Sequence, residues 1–284
     1  MRFRLLITLC VLLNAGCAFF NYGDDQYQLR MATPGKDIVW VPSQVDVATK
    51  MLALAQVKSG DLVYDLGSGD GVIPIQAAKQ YGVRAVGIEY NPDLVALSKR
   101  NAIRENVQNL VIFKQGDILV EDFSSATVVT LFLGEALNLK LMPIILKMQP
   151  GTRVVSNTFQ MGSWLPDQEV RVRSNETSIG VLNEVAYLWI VPATIDGAWE
   201  FKGLPKIDKA AIRLSQNKQF FTGSIVQQGR QPISLEEGRV RGNSITFKFE
   251  ANSKDYLFRG QINGSQINGI LNGDPKLVVS GNRL

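Results

Sequence analysis

The sequence predicts an α/β fold: a Rossmann-like, seven-stranded and largely parallel sheet, followed by a small all-β antiparallel domain. Three observations predict it. Val63-Tyr64-Asp65-Leu66 reads as a strand that stops in the glycine turn Gly67-Ser68-Gly69-Asp70-Gly71, and Val72 to Tyr81 continues with helical patterning. From Asp61 to Ala193, strand-like and helix-like runs alternate, which implies parallel strands with helices on both faces. From Gly197 onward only short alternating runs remain, separated by glycine and asparagine turns.

In chain order, a polar stretch from Asn21 to Lys36 precedes Trp40-Val41-Pro42-Ser43 and a helix with Ala48, Met51, Leu52 and Ala55 on one face. Strands are expected at 61–66, 84–89, 109–114, 126–132, 152–158, 169–174 and 184–191, with helices in the first four gaps and the last strand inserted antiparallel. Beyond Pro192, the stretches Gly238 to Ile245 and Gly260 to Ile267 each read as strand, tight turn, strand. Such a meander suggests a half-barrel or sandwich, for docking a partner or for structure alone. The expected division is a leader over 1–18, a linker over 19–36, an α/β domain over 37–193 and a β-rich domain over 194–284.

Composition narrows the chemistry. At 284 residues the chain exceeds one typical domain, and its 45% apolar content is ample for a core. The net charge is +4 with no lysine and arginine block, so there is no electrostatic case for nucleic acid. Met1-Arg2-Phe3-Arg4 is basic, Leu5 to Leu13 is a short apolar run, and Ala15-Gly16-Cys17-Ala18 offers cleavage after Ala18. A signal peptide of this kind implies export to the periplasm or envelope. A lipid on Cys17 or an uncleaved leader would instead tether the chain to a membrane, and a non-functional leader would leave it in the cytoplasm.

Both cysteines, Cys10 and Cys17, lie in the leader, which excludes disulfides, thiolate metal sites and cysteine nucleophiles from the body. There is no histidine, so no Ser-His-Asp hydrolase and no histidine-ligated zinc centre can be built, and no metal is expected.

The glycine turn admits backbone close to a ligand, and the helix after it presents unpaired amides. A dinucleotide fingerprint G-x-G-x-x-G counted from Gly67 and Gly69 requires glycine at position 72, which is Val72, so a nicotinamide enzyme is weakened. The pattern is D-x-G-x-G-x-G. Two further strands also end in acids: Arg84 to Glu89, followed by Asn91-Pro92-Asp93 as a helix cap, and Leu110 to Phe113, which leads to Gln115-Gly116-Asp117-Ile118. Singly, Asp65 reads equally as a helix cap, Glu89 as a solvated loop acid and Asp117 as a turn residue. Together they point to one pocket at the carboxyl ends of the strands.

This set resembles motif I and its companions in the class I S-adenosylmethionine-dependent methyltransferases. The resemblance implies that Gly67, Ser68, Gly69 and Gly71 border the methionine part of S-adenosyl-L-methionine and that Asp65 helps hold its polar end. Glu89 then takes the ribose hydroxyls, Asp117 lies on the adenine side, and Ser43 belongs to the segment over the cofactor. Together with Trp40 to Ser43, Gly87 to Pro92, Ala126 to Leu133 and Pro150 to Ser156, the motifs look like a bacterial group similar to the mitochondrial protein-lysine methyltransferases with D-L-G-S-G-D-G-R. The resemblance covers roughly residues 37 to 193. Gln44 stands where that group has a second proline, and Val72 where it has arginine. Methyl transfer needs neither histidine nor cysteine, because the sulfonium supplies both the reactive carbon and its leaving group.

Amino-methyltransferases of nucleic acids carry N/D-P-P-Y/F after the fourth strand to grip a flipped base. Here the residues are Thr130-Leu131-Phe132-Leu133-Gly134-Glu135, so a base is disfavoured. The acceptor is left unidentified by the residues, and a protein lysine amine is the one that the resemblance implies. Phe132 is then a catalytic candidate as a wall of the acceptor channel, with Trp40 and Trp164. Glu135 would orient the amine or accept its proton, and Asn157 is a further polar candidate. The plain readings are a sheet-core Phe132, a packed Trp164 and a solvated helix acid at Glu135. The alternative function is an exported, non-catalytic binding protein whose β-rich domain holds a partner.

Overall fold

The computed structural model describes residues 22–172, 185–207, 210–227 and 229–284. The leader, with Cys10 and Cys17, lies outside the described residues.

A two-strand hairpin, β1 (Tyr22–Gly23) with β2 (Gln28–Leu29), and α1 (Val45–Leu54) precede the main sheet. The α/β unit then runs β3 (Leu62–Leu66), α2 (Val72–Tyr81), β4 (Arg84–Glu89), α3 (Pro92–Arg104), β5 (Val111–Gln115), β6 (Val128–Leu131), α4 (Glu135–Ile145), β7 (Arg153–Asn157), β8 (Gln168–Arg171) and β9 (Val185–Ile190). Its seven strands lie in the order β5-β4-β3-β6-β7-β9-β8. The first five are parallel, while β9 enters antiparallel between β7 and β8.

The central strands are apolar on both faces, as a sheet covered on both sides requires. Val63, Val128 and Val155 pack with Met51, Leu52, Ile75 and Ala78 from α1 and α2. Leu66, Val129 and Val154 pack on the other face with Leu137, Leu141 and Ile145 from α4. Helices fill three of the four gaps where the sequence suggests them. The third gap is turns instead, because the Asp117 and Asp122 carboxylates accept the amides of Leu119 and Ser124 and so compete with helix formation.

Strands β10 (Gly197–Lys202), β11 (Ala210–Asn217), β12 (Phe220–Val226), β13 (Ile233–Arg241), β14 (Ser244–Ala251), β15 (Lys254–Asn263), β16 (Gln266–Leu271) and β17 (Asp274–Arg283) form an antiparallel meander. It goes further than a half-barrel or sandwich: Trp199 to Lys202 pair with Ser280 to Arg283, closing a barrel. The interior is a solid aromatic core, with the Phe247 and Phe258 rings 4.7 Å apart and Trp199, Phe201 and Phe249 buried beside them. Gly260 and Gly269 are glycine because a Cβ on either would sit 2.6 Å from Phe258 Cζ. The barrel joins the sheet through the Ala193 amide on the Gly242 carbonyl and through contacts to residues 163–167.

Phe247→Ala should remove the centre of this core and destabilise the barrel by about 3–5 kcal/mol. Urea unfolding followed by the fluorescence of Trp199 would measure it, and a loss below about 1 kcal/mol would mean that the barrel does not depend on its aromatic core.

Candidate active site

The site begins where β3 ends. Gly67 and Gly69 take the left-handed backbone at φ 76° and 55°, which lets the turn fold back so that the amides of Gly67 and Ser68 donate to the Ile88 carbonyl at 2.8 and 3.0 Å. There is no room for a side chain above it: a Cβ on Gly67 would meet Leu133 Cδ2 at 2.5 Å, and one on Gly69 would meet Trp40 Nε1 at 2.6 Å. At the end of β4 the buried Glu89 carboxylate accepts the Gly69 amide on Oε2 and the Asn91 amide on Oε1, both at 2.9 Å. Asp65, also buried, accepts Thr130 Oγ1 at 2.6 Å.

Above these strand ends is a cavity of about 890 Å³ including its mouth. Its lining combines polar groups and turn backbone (Asp65, Gly67, Ser68, Gly69, Asp70, Glu89, Asp117) with apolar side chains (Val39, Trp40, Val41, Phe132, Leu133, Leu137). The roof comes from residues expected to be linker. Asp24 is held bidentately by Arg100 of α3 at 2.6 and 2.9 Å, Tyr22 meets Trp40 edge-on, and Lys36 Nζ reaches Asp117 Oδ2 at 2.5 Å. Thr33 to Trp40 thereby become part of the cavity wall.

The electrostatics follow from burial. Desolvation pushes the Asp65 carboxyl up to about 7 against the opposing Thr130 hydrogen bond, with Glu89 and Asp70 adding repulsion. Asp70 is raised to about 6, chiefly by burial. Asp117 is held down by the Lys36 ammonium, and Lys36 is raised in turn by Asp117. Three carboxylates crowded at one wall suit a ligand that brings positive charge and hydroxyl donors.

Of the residues singled out from the sequence, Ser43, Asp65, Gly67, Ser68, Gly69, Glu89, Asp117 and Phe132 share this one cavity. Gly71 does not line it. It caps α2 at φ 87°, and a Cβ there would lie 2.6 Å from Phe113 Cζ and 2.9 Å from Ser98, so it serves close helix packing. Glu135 opens α4, is exposed and stands outside the lining; Trp164 is wholly buried against Trp189. Asn157 is buried at the end of β7 and is likewise outside the lining. Sequence reasoning missed Lys36, Asp70 and Tyr90. Asp70 lies inside the glycine turn and is legible there. Lys36 is not, since its partner is 81 residues away.

Comparisons with known proteins bear on this geometry. Residues 65–168 match the ANTKMT methyltransferase domain family. A protein-lysine N-methyltransferase of Saccharolobus islandicus is 37% identical over 156 residues, covering 54% of this chain and 94% of that protein. The chain belongs to the S-adenosylmethionine-dependent methyltransferases. S-Adenosyl-L-methionine is this methyltransferase's cofactor. The crystal structure of an RNA methyltransferase from Salinibacter ruber with S-adenosyl-L-homocysteine superposes at a TM-score of 0.50, with 46% identity over 55% of this chain and 96% of that one. The adenine nucleotide translocase lysine N-methyltransferase of Mus musculus is 33% identical over 140 residues, covering 49% of this chain and 58% of that protein.

The raised Asp65 carboxyl sets a pH dependence. Between its ordinary 3.8 and about 7, the folded methyltransferase keeps a proton that the unfolded chain has given up. Its contribution to stability is therefore fullest below 3.8 and falls as pH rises to about 7. Asp65→Asn should flatten that fall, leaving the part due to Asp70; an unchanged slope in urea midpoints across the interval would acquit Asp65.

Proposed function

We propose that this methyltransferase modifies a protein lysine amine, with the cofactor held by Ser43, Asp65, Gly67, Ser68, Gly69, Glu89 and Asp117. The observation that carries the reading is the Glu89 carboxylate, fixed by two backbone amides at the cavity wall, with Asp65 on the same wall. The residues fit the group: the paired acids accept hydroxyl and ammonium donors, and Gly67 and Gly69 let Leu133 and Trp40 close in on the turn beside the cavity. When bound, S-adenosyl-L-methionine supplies a methyl group on a sulfonium with a neutral thioether as leaving group.

Phe132 stacks on Phe159 at 6.1 Å and forms the wall assigned to the acceptor, with Leu133 and Leu137. A lysine ammonium entering such an apolar channel is destabilised as a cation and sheds its proton before reaction. Glu135 is exposed and does not line the cavity, so the proton is assigned to solvent. The names of the Saccharolobus and mouse relatives support lysine and that of the Salinibacter enzyme an RNA; the missing N/D-P-P-Y/F tetrapeptide speaks against a base amino group. The purely binding alternative is not favoured. The basic and apolar leader supports an exported protein, whose mature chain would begin at Phe19.

Calorimetric titration with S-adenosyl-L-homocysteine tests the cofactor residues: Glu89→Ala should weaken binding at least tenfold, about 1.4 kcal/mol. Labelled-methyl transfer into fractionated envelope and lysate tests the acceptor. Label in protein, located to lysine by mass spectrometry, is expected; label in the RNA fraction alone would overturn the lysine reading. Peptide sequencing of the exported protein should find Phe19 first, and Met1 would refute cleavage.

A further inference from the structure

The described residues form two folded units, and the segment of the α/β unit that carries Phe159 is held at its outer end by the barrel. Phe159, which stacks on the cavity residue Phe132, opens a segment that runs from the end of β7 to β8. Its inner end is fixed by the buried Asn138 of α4. Asn138 Nδ2 donates to Ser156 Oγ at 3.0 Å and to the Phe159 carbonyl at 3.1 Å, with the Gln160 carbonyl at 3.3 Å. Just before it, Thr158 sits at φ 65°, a conformation that a β-branched residue adopts only when its surroundings impose it.

The middle of the segment is rigid. Met161 and Trp164 form a bridge, both are wholly buried, and the Trp164 carbonyl accepts Trp189 Nε1 at 2.7 Å. The outer end is held by the barrel. Lys218 Nζ donates to Ser163 Oγ at 2.7 Å, Gln219 Nε2 to the Leu165 carbonyl at 2.6 Å, and Arg239 Nη2 to Asp167 Oδ1 at 2.7 Å. Two of these contacts have one buried partner each. The Gln219 residue is 1% exposed against an exposed Leu165, and the Asp167 side chain is 1% exposed against an Arg239 side chain that is 41% exposed, while Asp167 accepts the Ile190 amide with its other oxygen. A buried polar group is held to its partner because leaving it unpaired is costly, even where the partner is exposed.

We infer that the barrel is a positioning element for the methyl acceptor: Gln219 and Arg239 brace the 158–167 segment from outside so that Phe159 stays stacked on Phe132. This rests on the assignment of Phe132 to the acceptor wall. Neither Gln219 nor Arg239 lines the cavity, so they act through Phe159 and are positioning residues. A brace of this kind controls acceptor use without touching the cofactor side, which is built on β3 and β4.

The test is Gln219→Leu with Arg239→Met in the full chain. Hydrogen exchange of the peptide covering 158–164 is expected to quicken at least about fivefold while β3 and β4 amides keep their protection. Methyl transfer to protein should fall at least about fivefold, with S-adenosyl-L-homocysteine affinity within twofold of the parent and partial recovery when Arg239→Lys takes the place of Arg239→Met. Unchanged exchange at 158–164 would overturn the brace. Quickened exchange with undiminished transfer would overturn its role in acceptor positioning, as would parallel loss of cofactor affinity and transfer. A parent protein that binds S-adenosyl-L-homocysteine and methylates no protein would instead refute the lysine reading, with the exchange measurement still deciding the brace.

Discussion

The structure depends on one hydrogen-bonded junction, the Gly69 amide on the Glu89 carboxylate. β3 and β4 are neighbours whose carboxyl ends lie level, Leu66 beside Ile88. A turn leaving β3 can reach α2 only by folding back across β4, and the Gly67 and Ser68 amides on the Ile88 carbonyl hold it there. Glu89, one residue on, then takes the next free amide of the turn and the Asn91 amide that starts α3. One carboxylate therefore ties together a turn, a strand end and a helix start, satisfying backbone donors that would otherwise be orphaned. The cavity is the space left above this junction.

That space carries a cost. Asp65, Asp70 and Glu89 are brought near one another under the roof of Trp40, and Asp65 answers by holding its proton. Like charges in a shielded cavity are unfavourable until a cation neutralises them. On the proposed assignment, the sulfonium and ammonium of the cofactor would be such cations, and the crowding would favour that ligand. Asp117 is treated differently: Lys36 neutralises it, which leaves the charge imbalance concentrated at Asp65, Asp70 and Glu89.

What can be read from sequence follows from the range of each interaction. Asp65 to Gly69, Glu89 and Asp117 are legible because α/β topology brings successive strand ends together, so three local patterns imply one place. Gly71 falls to the ligand on the glycine pattern alone, which does not distinguish a residue above the turn from one below it. The Phe113 ring that makes Gly71 necessary lies two strands away. Lys36 and Asp24 are illegible as roof residues, since nothing around them in the chain announces Asp117 or Arg100. Barrel closure is hidden for the same reason. Alternation marks each strand, but the pairing of β10 with β17 joins residues distant in the chain, as Trp199 with Arg283 shows.

Closure also decides what the barrel can do. An open sandwich would leave β10 and β17 as edges, free to fray or pair elsewhere, whereas the closed form has no edge. With Phe247, Phe258 and Phe201 filling its interior, the barrel's strands cannot shift without breaking aromatic packing. Such a body is suited to bearing a load. Gln219 lies between β11 and β12, and Arg239 on β13 stands beside it across the register from Phe220, so both contacts to the 158–167 segment arise from one corner of the barrel. On the proposed assignment, the barrel corner bears on a segment that ends at Phe159 and so on one wall of the cavity, while the Glu89 junction fixes the strand ends. Both walls belong to the α/β unit, and only the acceptor wall is also referred to the barrel through the interface that joins the units.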